Sequence, residues 1–409
     1  MVGRLGSREL SAVAIADMWV FSTLILGIGL VMGIDPVVSQ AHGAGRHEEA
    51  SRALRHGLLV ALIAAPPLAM LWWWTGPILA LAGQDPDLLP LASAYARAQI
   101  FSIAPFLLFT AMRGYLQGCG RMLPPLLAVA AANLLNLWLN WVLIFGHWGF
   151  EARGVRGAAL ATGLTRCFLA IALGLLLWRP ARPTRGCVAT GLLRVLRLGR
   201  TTALQLGLEV WGFAAITSLA GLLRGPAVAA HVIVLKIASF TFMVPLGISV
   251  AASTRVGHLL GAQRPADAQR SAWIAFAMGG AVMALSAVCM LLFRRELASA
   301  FTADAAVVAA ATAIFPIAGA FQVFDGAQVI GGGVLRGMGV PRPAALFNLV
   351  GYYLCALPLA YWLGFGLDLG LAGLWWGICC GLGLIALLLL AYMRWRGPAT
   401  AAGGVNPRW

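Results

Sequence analysis

The sequence predicts an all-α membrane protein built from two homologous bundles, with five and six transmembrane helices around a central cleft. Three observations predict it: an apolar composition, basic residues concentrated in the loops between apolar runs, and an internal repeat. Apolar residues make up 61% of the 409 residues and charged residues only 11%, whereas soluble domains average about 25% charged residues. Because a soluble protein could not bury so much apolar surface, the apolar runs are predicted to cross a bilayer as helices.

Eleven apolar segments reach the length of about 20 residues that a membrane-spanning helix needs. Several are longer, so tilted, kinked or protruding helices are expected, and Pro36, Pro105, Pro245 and Pro316 interrupt long runs. The predicted segments are 10–40, 50–80, 88–116, 123–146, 155–179, 199–223, 227–259, 269–293, 305–335, 343–366 and 370–393.

The repeat predicts the two bundles. Residues 29–52 match residues 247–270 with seven of 24 positions identical, and residues 116–124 match residues 335–343 one residue out of that register. The second copy opens with a segment around Glu209 whose counterpart would lie before Met1. The first bundle is therefore expected to lack the first helix of the repeat.

The predicted domain organisation follows from the repeat and from the most polar connection in the chain. An Arg-rich linker joins the bundles, and its second half would either lie on the anionic inner leaflet or be solvated. The predicted parts are an N-terminal bundle at 1–180, a cytoplasmic linker at 181–198, a C-terminal bundle at 199–396 and a cytoplasmic tail at 397–409.

Arginine distribution predicts the orientation. The net charge is +15, and Lys236 is the only lysine. Nineteen Arg fall in one set of loops and seven in the other, which predicts a cytoplasmic C-terminus and an N-terminus outside. Because the Arg lie in short loops between apolar runs, a nucleic-acid partner is not expected.

Several other classes of site are not expected. The seven Cys show no C-x-x-C spacing and the six His show no ligand spacing, so neither a metal site nor a disulfide is predicted. A phosphate-binding P-loop is missing from the sequence, which disfavours ATP hydrolysis. The first apolar segment is too long for a cleavable signal peptide.

Two acidic residues are the main candidates for a functional site. Glu209 and Asp325 each lie near the middle of an apolar segment, where ionisable residues are costly and mark a solute or ion pathway. Because desolvation disfavours a charged carboxylate, such a residue could hold a proton in one conformation and bind a cation in another. The alternative is a carboxylate that only hydrogen-bonds neighbouring helices. The repeat places Phe106 at the position of Asp325.

Lys236 also lies mid-segment, and a lysine at that depth should find an acid or lose its proton. It aligns in the repeat with Met18, next to Asp17. Lys236 could therefore bridge to Asp17 across the cleft, or pair locally with Glu209 or Asp325. Asp35, beside Pro36, is expected to make a helix-end contact.

Tryptophans are predicted in two roles. Trp72, Trp73 and Trp74 are expected in the interfacial belt. Trp211, two residues beyond Glu209, could line a cavity for flat aromatic cations through cation–π attraction.

Four stretches together resemble the multidrug and toxic-compound extrusion (MATE) family, in particular its NorM-like bacterial branch. They occur in this order along the chain, and the resemblance extends over essentially its whole length: VGRLGSRELSAVAIA, GIDPVVSQAHGAGR, AVAAHVIVLKIASFTFMVPLGISVAASTRVGHLLGA and QVFDGAQVIGGGVLRGMG. The resemblance implies two six-helix bundles with a V-shaped cleft. It also implies a bacterial inner-membrane carrier that exports cationic drugs as Na⁺ or H⁺ enters.

By position, Glu209 and Asp325 resemble the family's acids in the first and fourth helices of the second bundle. Phe321 stands where NorM-like members have a tyrosine, which removes a hydroxyl ligand, and Lys236 replaces a neutral residue. The cleft-lining candidates are Trp211, Phe321 and Gln322. The absent first helix is where other branches place a proton-linked Asp.

The function implied is an antiporter of hydrophobic organic cations, working by alternating access. It would be a carrier and not an enzyme, and a monomer in the lipid bilayer. It would need no cofactor, with Na⁺ or H⁺ as coupling ion and a Na⁺ site at Glu209 and Asp325. The alternatives are a flippase for a lipid-linked precursor, which would need a basic cleft, and an inactive truncated transporter.

Overall fold

The computed structural model describes residues 3, 6–177, 188–223 and 225–401. In these residues the chain is helical and contains no β-strand, and eleven helical stretches are long and apolar enough to span a membrane. The predicted all-α membrane fold is therefore confirmed. Residues 181–187 of the predicted linker and 402–409 of the predicted tail lie outside the described residues.

The chain forms two compact units. One comprises Met1–Val38 and Arg46–Ala203, and the other Ser39–Gly45 and Leu204–Trp409. The helices of the first unit are α1 (Ser7–Val31), the start of α2 (Asp35–Gly43), α3 (His47–Trp73), α4 (Thr75–Leu81), α5 (Leu89–Ala98), α6 (Ile103–Gly118), α7 (Leu123–Phe145), α8 (Gly154–Leu176) and the first part of α9 (Val188–Leu222).

The second unit takes the rest of α9 and has α13 at its core, since α13 packs against α10, α11, α12 and α16. Its further helices are α10 (Ala227–Gly261), α11 (Pro265–Leu292), α12 (Arg294–Ser299), α13 (Ala305–Gly337), α14 (Arg342–Asn348), α15 (Leu357–Tyr361), α16 (Gly370–Arg396) and α17 (Pro398–Ala401). Two π-helical stretches, Leu349–Ala356 and Trp362–Gly366, flank α15.

The helix α9 begins earlier than the sequence predicts. Its residues 188–198, predicted as linker, are helical and continuous with the span. Close backbone packing explains why they join the first unit: a Cβ on Gly199 would lie 2.0 Å from the carbonyl oxygen of Leu30, and one on Gly33 would lie 2.2 Å from that of Val195. The boundary between units therefore falls inside α9.

The four prolines act differently. Pro36 and Pro105 follow short 3₁₀ segments, Met32–Ile34 and Ile100–Ser102, which interrupt the first and third spans. Pro245 and Pro316 lie within the continuous helices α10 and α13. Only two of the four predicted interruptions therefore break a helix.

Close packing of α10 on α13 depends on small residues. A Cβ on Gly333 would lie 2.2 Å from Ser249 Oγ, and one on Gly337 would lie 2.3 Å from the carbonyl oxygen of Ser253. Both pairs repeat at a four-residue interval, so one face of each helix carries small residues. This small-residue packing lets membrane helices approach closely in the absence of a hydrophobic driving force.

We predict that Gly333→Ala lowers the thermal unfolding midpoint of the detergent-purified protein by several degrees. The added methyl group has no room, and overpacking typically costs about 1–3 kcal/mol. The matched control is Gly247→Ala on α10, where a Cβ meets nothing within 4 Å. Equal midpoints for the two variants would contradict the packing described here.

Candidate functional site

Glu209 is held by a hydrogen-bonded glutamine. Gln328 Nε2 donates to Glu209 Oε2 at 2.9 Å. The Tyr352 hydroxyl donates to Gln328 Oε1 at 3.3 Å. The next residue, Tyr353, donates from its hydroxyl to the carbonyl oxygen of Leu208 at 3.3 Å. Gln328 therefore links α9, α13 and the π-helical stretch Leu349–Ala356.

Asp325 lies one helical turn before Gln328, so both side chains project from the same face of α13. Asp325 is 5% exposed, and its carboxylate interacts electrostatically with Glu209. Its Oδ1 has no hydrogen-bond partner among the described residues. Two buried carboxylates that interact repel when both are charged, so the pair needs compensating positive charge. The structure thus brings together the two acids that the sequence singles out.

Arg336 supplies positive charge to this site. It is 5% exposed, lies eight residues beyond Gln328 on α13, and interacts electrostatically with Glu209. Its Nη2 donates to Ser249 Oγ at 3.3 Å, and Ser249 Oγ donates to the carbonyl oxygen of Val329 at 2.7 Å. The predicted segment 305–335 ends one residue before Arg336, but α13 continues to Gly337 and keeps it in the helix.

Lys236 does not join the acids. It is exposed, on a face of α10 shared with Val232, Phe240 and Met243, whereas the buried face of α10 meets α13. In the described part of the chain, no ion pair connects Lys236 with Glu209 or Asp325. The expected local pairing is therefore not formed, because Lys236 projects from the wrong side of its helix.

The three cleft-lining candidates lie in different surroundings. Trp211 is 39% exposed. Phe321 is buried and makes edge contacts with Phe213 and Trp375, with ring centroids 6.0 and 5.5 Å away. Gln322 is buried, and its Nε2 donates to Thr241 Oγ1. Phe321 and Gln322 therefore belong to the interior of the second unit, next to the acids.

The first unit contains its own polar cluster. Asp17 accepts a hydrogen bond from the Tyr95 hydroxyl and interacts electrostatically with Arg166. Arg166 donates from Nη1 to Ser102 Oγ at 3.2 Å and lies 5.1 Å from the ring centroid of Phe106. Within its own unit, then, Asp17 already has partners.

Asp35 begins α2, at the helix-end position the sequence predicts. It interacts electrostatically with Arg113 of α6, which is in the same unit. Among the described residues, no group of three or more His, Cys, Asp or Glu side chains could hold a metal ion.

Sequence reasoning missed three members of the site: Gln328, Tyr352 and Arg336. Neutral polar residues carry little signal in an apolar run, although Gln328 has the i, i+3 spacing from Asp325. The π-helical turns around Tyr352 are a structural signal, since such turns occur frequently at functional sites.

These features define a class: a multi-pass helical membrane protein with a buried, charge-compensated acid pair in one of two compact units. The MatE family model matches residues 1–142 and 202–362. The chain belongs to the MatE family, as the resemblance of its motifs predicts.

Relatives and solved structures cover nearly the whole chain. A probable multidrug resistance protein NorM of Mesorhizobium japonicum is 35% identical over 97% of this chain and 87% of that protein. Another of the same name, from Bradyrhizobium diazoefficiens, is 36% identical over 96% and 87%. The crystal structure of the eukaryotic MATE transporter AtDTX14 has a TM-score of 0.90 at 27% identity, covering 99% of this chain and 91% of that one.

We predict that Arg336→Met destabilises the protein in detergent by about 3–5 kcal/mol, the range for removing one partner of a buried charged pair. Adding Glu209→Gln should restore part of the loss, because the uncompensated charge is then removed. Thermal unfolding of the two single variants and the double variant measures this coupling. Arg342→Met, at an exposed position on α14, is the control. Strictly additive effects of Arg336→Met and Glu209→Gln would contradict the electrostatic coupling.

Proposed function

We propose that this protein is a secondary active exporter of hydrophobic organic cations that exchanges them for Na⁺ or H⁺ by alternating access. The observation that carries the proposal is the buried acid pair, Glu209 and Asp325, in a member of a family whose relatives are named multidrug resistance proteins. A buried ionisable pair of this kind is expected along a solute or ion pathway.

The chemistry of exchange follows from the charges at the site. Two carboxylates with one arginine leave one negative charge to be balanced when both acids are ionised. A coupling cation bound there, or a proton on one acid, neutralises that charge in one state. An organic cation would neutralise it in the other, so the two ligands compete. The net negative charge disfavours a pyrophosphate-bearing lipid, the substrate class of the alternative flippase.

Trp211 and Phe321 would each affect how a ligand is bound. The exposed Trp211 would stack on a flat aromatic cation. Phe321 would leave any bound Na⁺ at the acids without a hydroxyl ligand from that position. We expect a monomeric carrier without enzymatic activity or a cofactor, in a bacterial inner membrane.

We predict that Glu209→Gln and Asp325→Asn each reduce the initial rate of dye efflux from proteoliposomes at least tenfold. Each variant removes the ionisable group that exchanges coupling ion for substrate. The measurement uses ethidium under imposed Na⁺ or H⁺ gradients, and it also identifies the coupling ion. Asp267→Asn, at an exposed ion pair with Arg264, is the control. Efflux at the wild-type rate in both test variants would reject the assignment.

We also predict the orientation of the chain. In a protein with its native Cys replaced, Asp85→Cys between α4 and α5 should react with a membrane-impermeant maleimide from outside intact cells. Arg121→Cys between α6 and α7 should react only after the cells are opened. The physical reason is the retention of Arg-rich loops in the cytoplasm. The reverse labelling pattern would contradict the predicted topology.

A further inference from the structure

His231 lies buried near the start of α10, outside the site described above. It is 2% exposed, and its Nε2 lies 3.1 Å from Thr217 Oγ1 on α9. The Thr217 hydroxyl proton is already donated to the carbonyl oxygen of Phe213 at 3.0 Å. A hydroxyl has one proton to donate, so with that proton on the Phe213 carbonyl, Nε2–H is the donor to Thr217. The neutral ring then carries its acceptor lone pair on Nδ1.

That lone pair has no hydrogen-bond partner among the described residues. Buried polar atoms are nearly always hydrogen-bonded, so each exception needs an explanation. Nδ1 is a base held in a fixed orientation by the contact of Nε2 with Thr217. It can accept a proton without breaking an existing hydrogen bond.

His231 is separated from the acids by a layer of aromatic rings. Thr217 lies eight residues beyond Glu209 on α9, about 12 Å along the axis at 1.5 Å per residue, and Phe213 lies between them on the same face. Phe213 contacts Phe321 at a centroid distance of 6.0 Å.

The same layer continues through Trp375 to the histidine. The ring of Trp375 contacts Phe321 at 5.5 Å and His231 at 5.7 Å, and its buried Nε1 also lacks a partner among the described residues. Phe321 lies one turn before Asp325. The aromatic layer of Phe213, Phe321 and Trp375 is therefore bounded by His231 and Thr217 on one side and by the acids on the other.

The described groups around His231 include no charged side chain that could pair with its ring. No charged side chain of the described residues acts on it electrostatically. At the same end of the unit, Arg294, Arg295 and Glu296 of α12 are exposed. On α16, Cys379 lies one turn beyond Trp375, and α9 contributes Thr217.

We propose that His231 is the residue that first binds the coupling proton from the outside of the membrane. The loop before α10 is predicted to be outside, so a proton from that side would bind Nδ1 and form imidazolium. When the aromatic layer rearranges, the Nδ1–H bond breaks, and the proton passes through water to a carboxylate oxygen of Asp325, forming O–H and neutral imidazole. This inference rests on the proposed exporter function and specifies its coupling ion as H⁺.

The test uses the full chain in liposomes, with ethidium transport driven by a pH gradient. His231→Gln keeps an amide donor for Thr217 but cannot carry the proton. We expect its initial rate to fall at least tenfold while its affinity for ethidium stays within twofold of wild type. His147→Gln, at a half-buried loop histidine stacked on Trp141, should keep the wild-type rate. For His231→Ala, added imidazole should restore the rate several-fold, which a purely structural role would not allow.

Three outcomes would overturn the inference. One is pH-driven transport by His231→Gln at the wild-type rate. Another is loss of transport together with weakened ethidium binding and no imidazole rescue, which indicates a structural role. The third is wild-type transport driven by a Na⁺ gradient alone, which leaves the exporter function standing. A wild-type protein that moves no dye under either gradient rejects the proposed function itself, and this inference with it.

Discussion

The cost of placing charge in a membrane interior is the constraint on which the second unit depends. Glu209 and Asp325 lose hydration there, and each lost interaction must be replaced by the protein. Gln328 donates to Glu209, Tyr352 orients Gln328, and Arg336 supplies compensating charge. These contacts come from α9, α13 and a π-helical stretch, so the helices must pack closely enough to bring them together. The small-residue face between α10 and α13 serves this need, and Ser249 in that face also accepts a hydrogen bond from Arg336.

The two repeats bury charged side chains of opposite sign at equivalent places. In the first unit Phe106 stands at the position of Asp325, and the guanidinium of Arg166 lies against its ring. Asp17 and Ser102 then provide the polar contacts that Arg166 needs. One unit thus buries a cation with an acid beside it, and the other buries two acids with a cation beside them. The two units therefore differ in the sign of the charge that predominates in their buried clusters.

The sequence predicted the parts of the molecule that hydrophobicity and charge control. Eleven spans and the family were confirmed, and the acid pair predicted as the site lies together in the structure. Other features depend on tertiary contacts. The sequence gives little indication of Gln328 and Tyr352, because their place in the site depends on their hydrogen bonds to each other and to Glu209. Arg336 lies one residue beyond the predicted span 305–335, and Lys236 is placed only by its depth along a segment. Neither observation shows which face of a helix is buried. Helix α9 begins early, at Val188, and packs through a glycine against α1. The sequence does not predict this early start, because the segment before Val188 is polar and contains proline.

Competition between coupling ion and substrate for the acids of the second unit is the basis of the proposed transport. It is tested most directly by equilibrium binding of ethidium to the purified protein across pH and Na⁺ concentration. We expect the affinity for ethidium to fall as the H⁺ or Na⁺ concentration rises, and Asp325→Asn to abolish this dependence. An affinity independent of both ions, or a dependence unchanged in the variant, would contradict it.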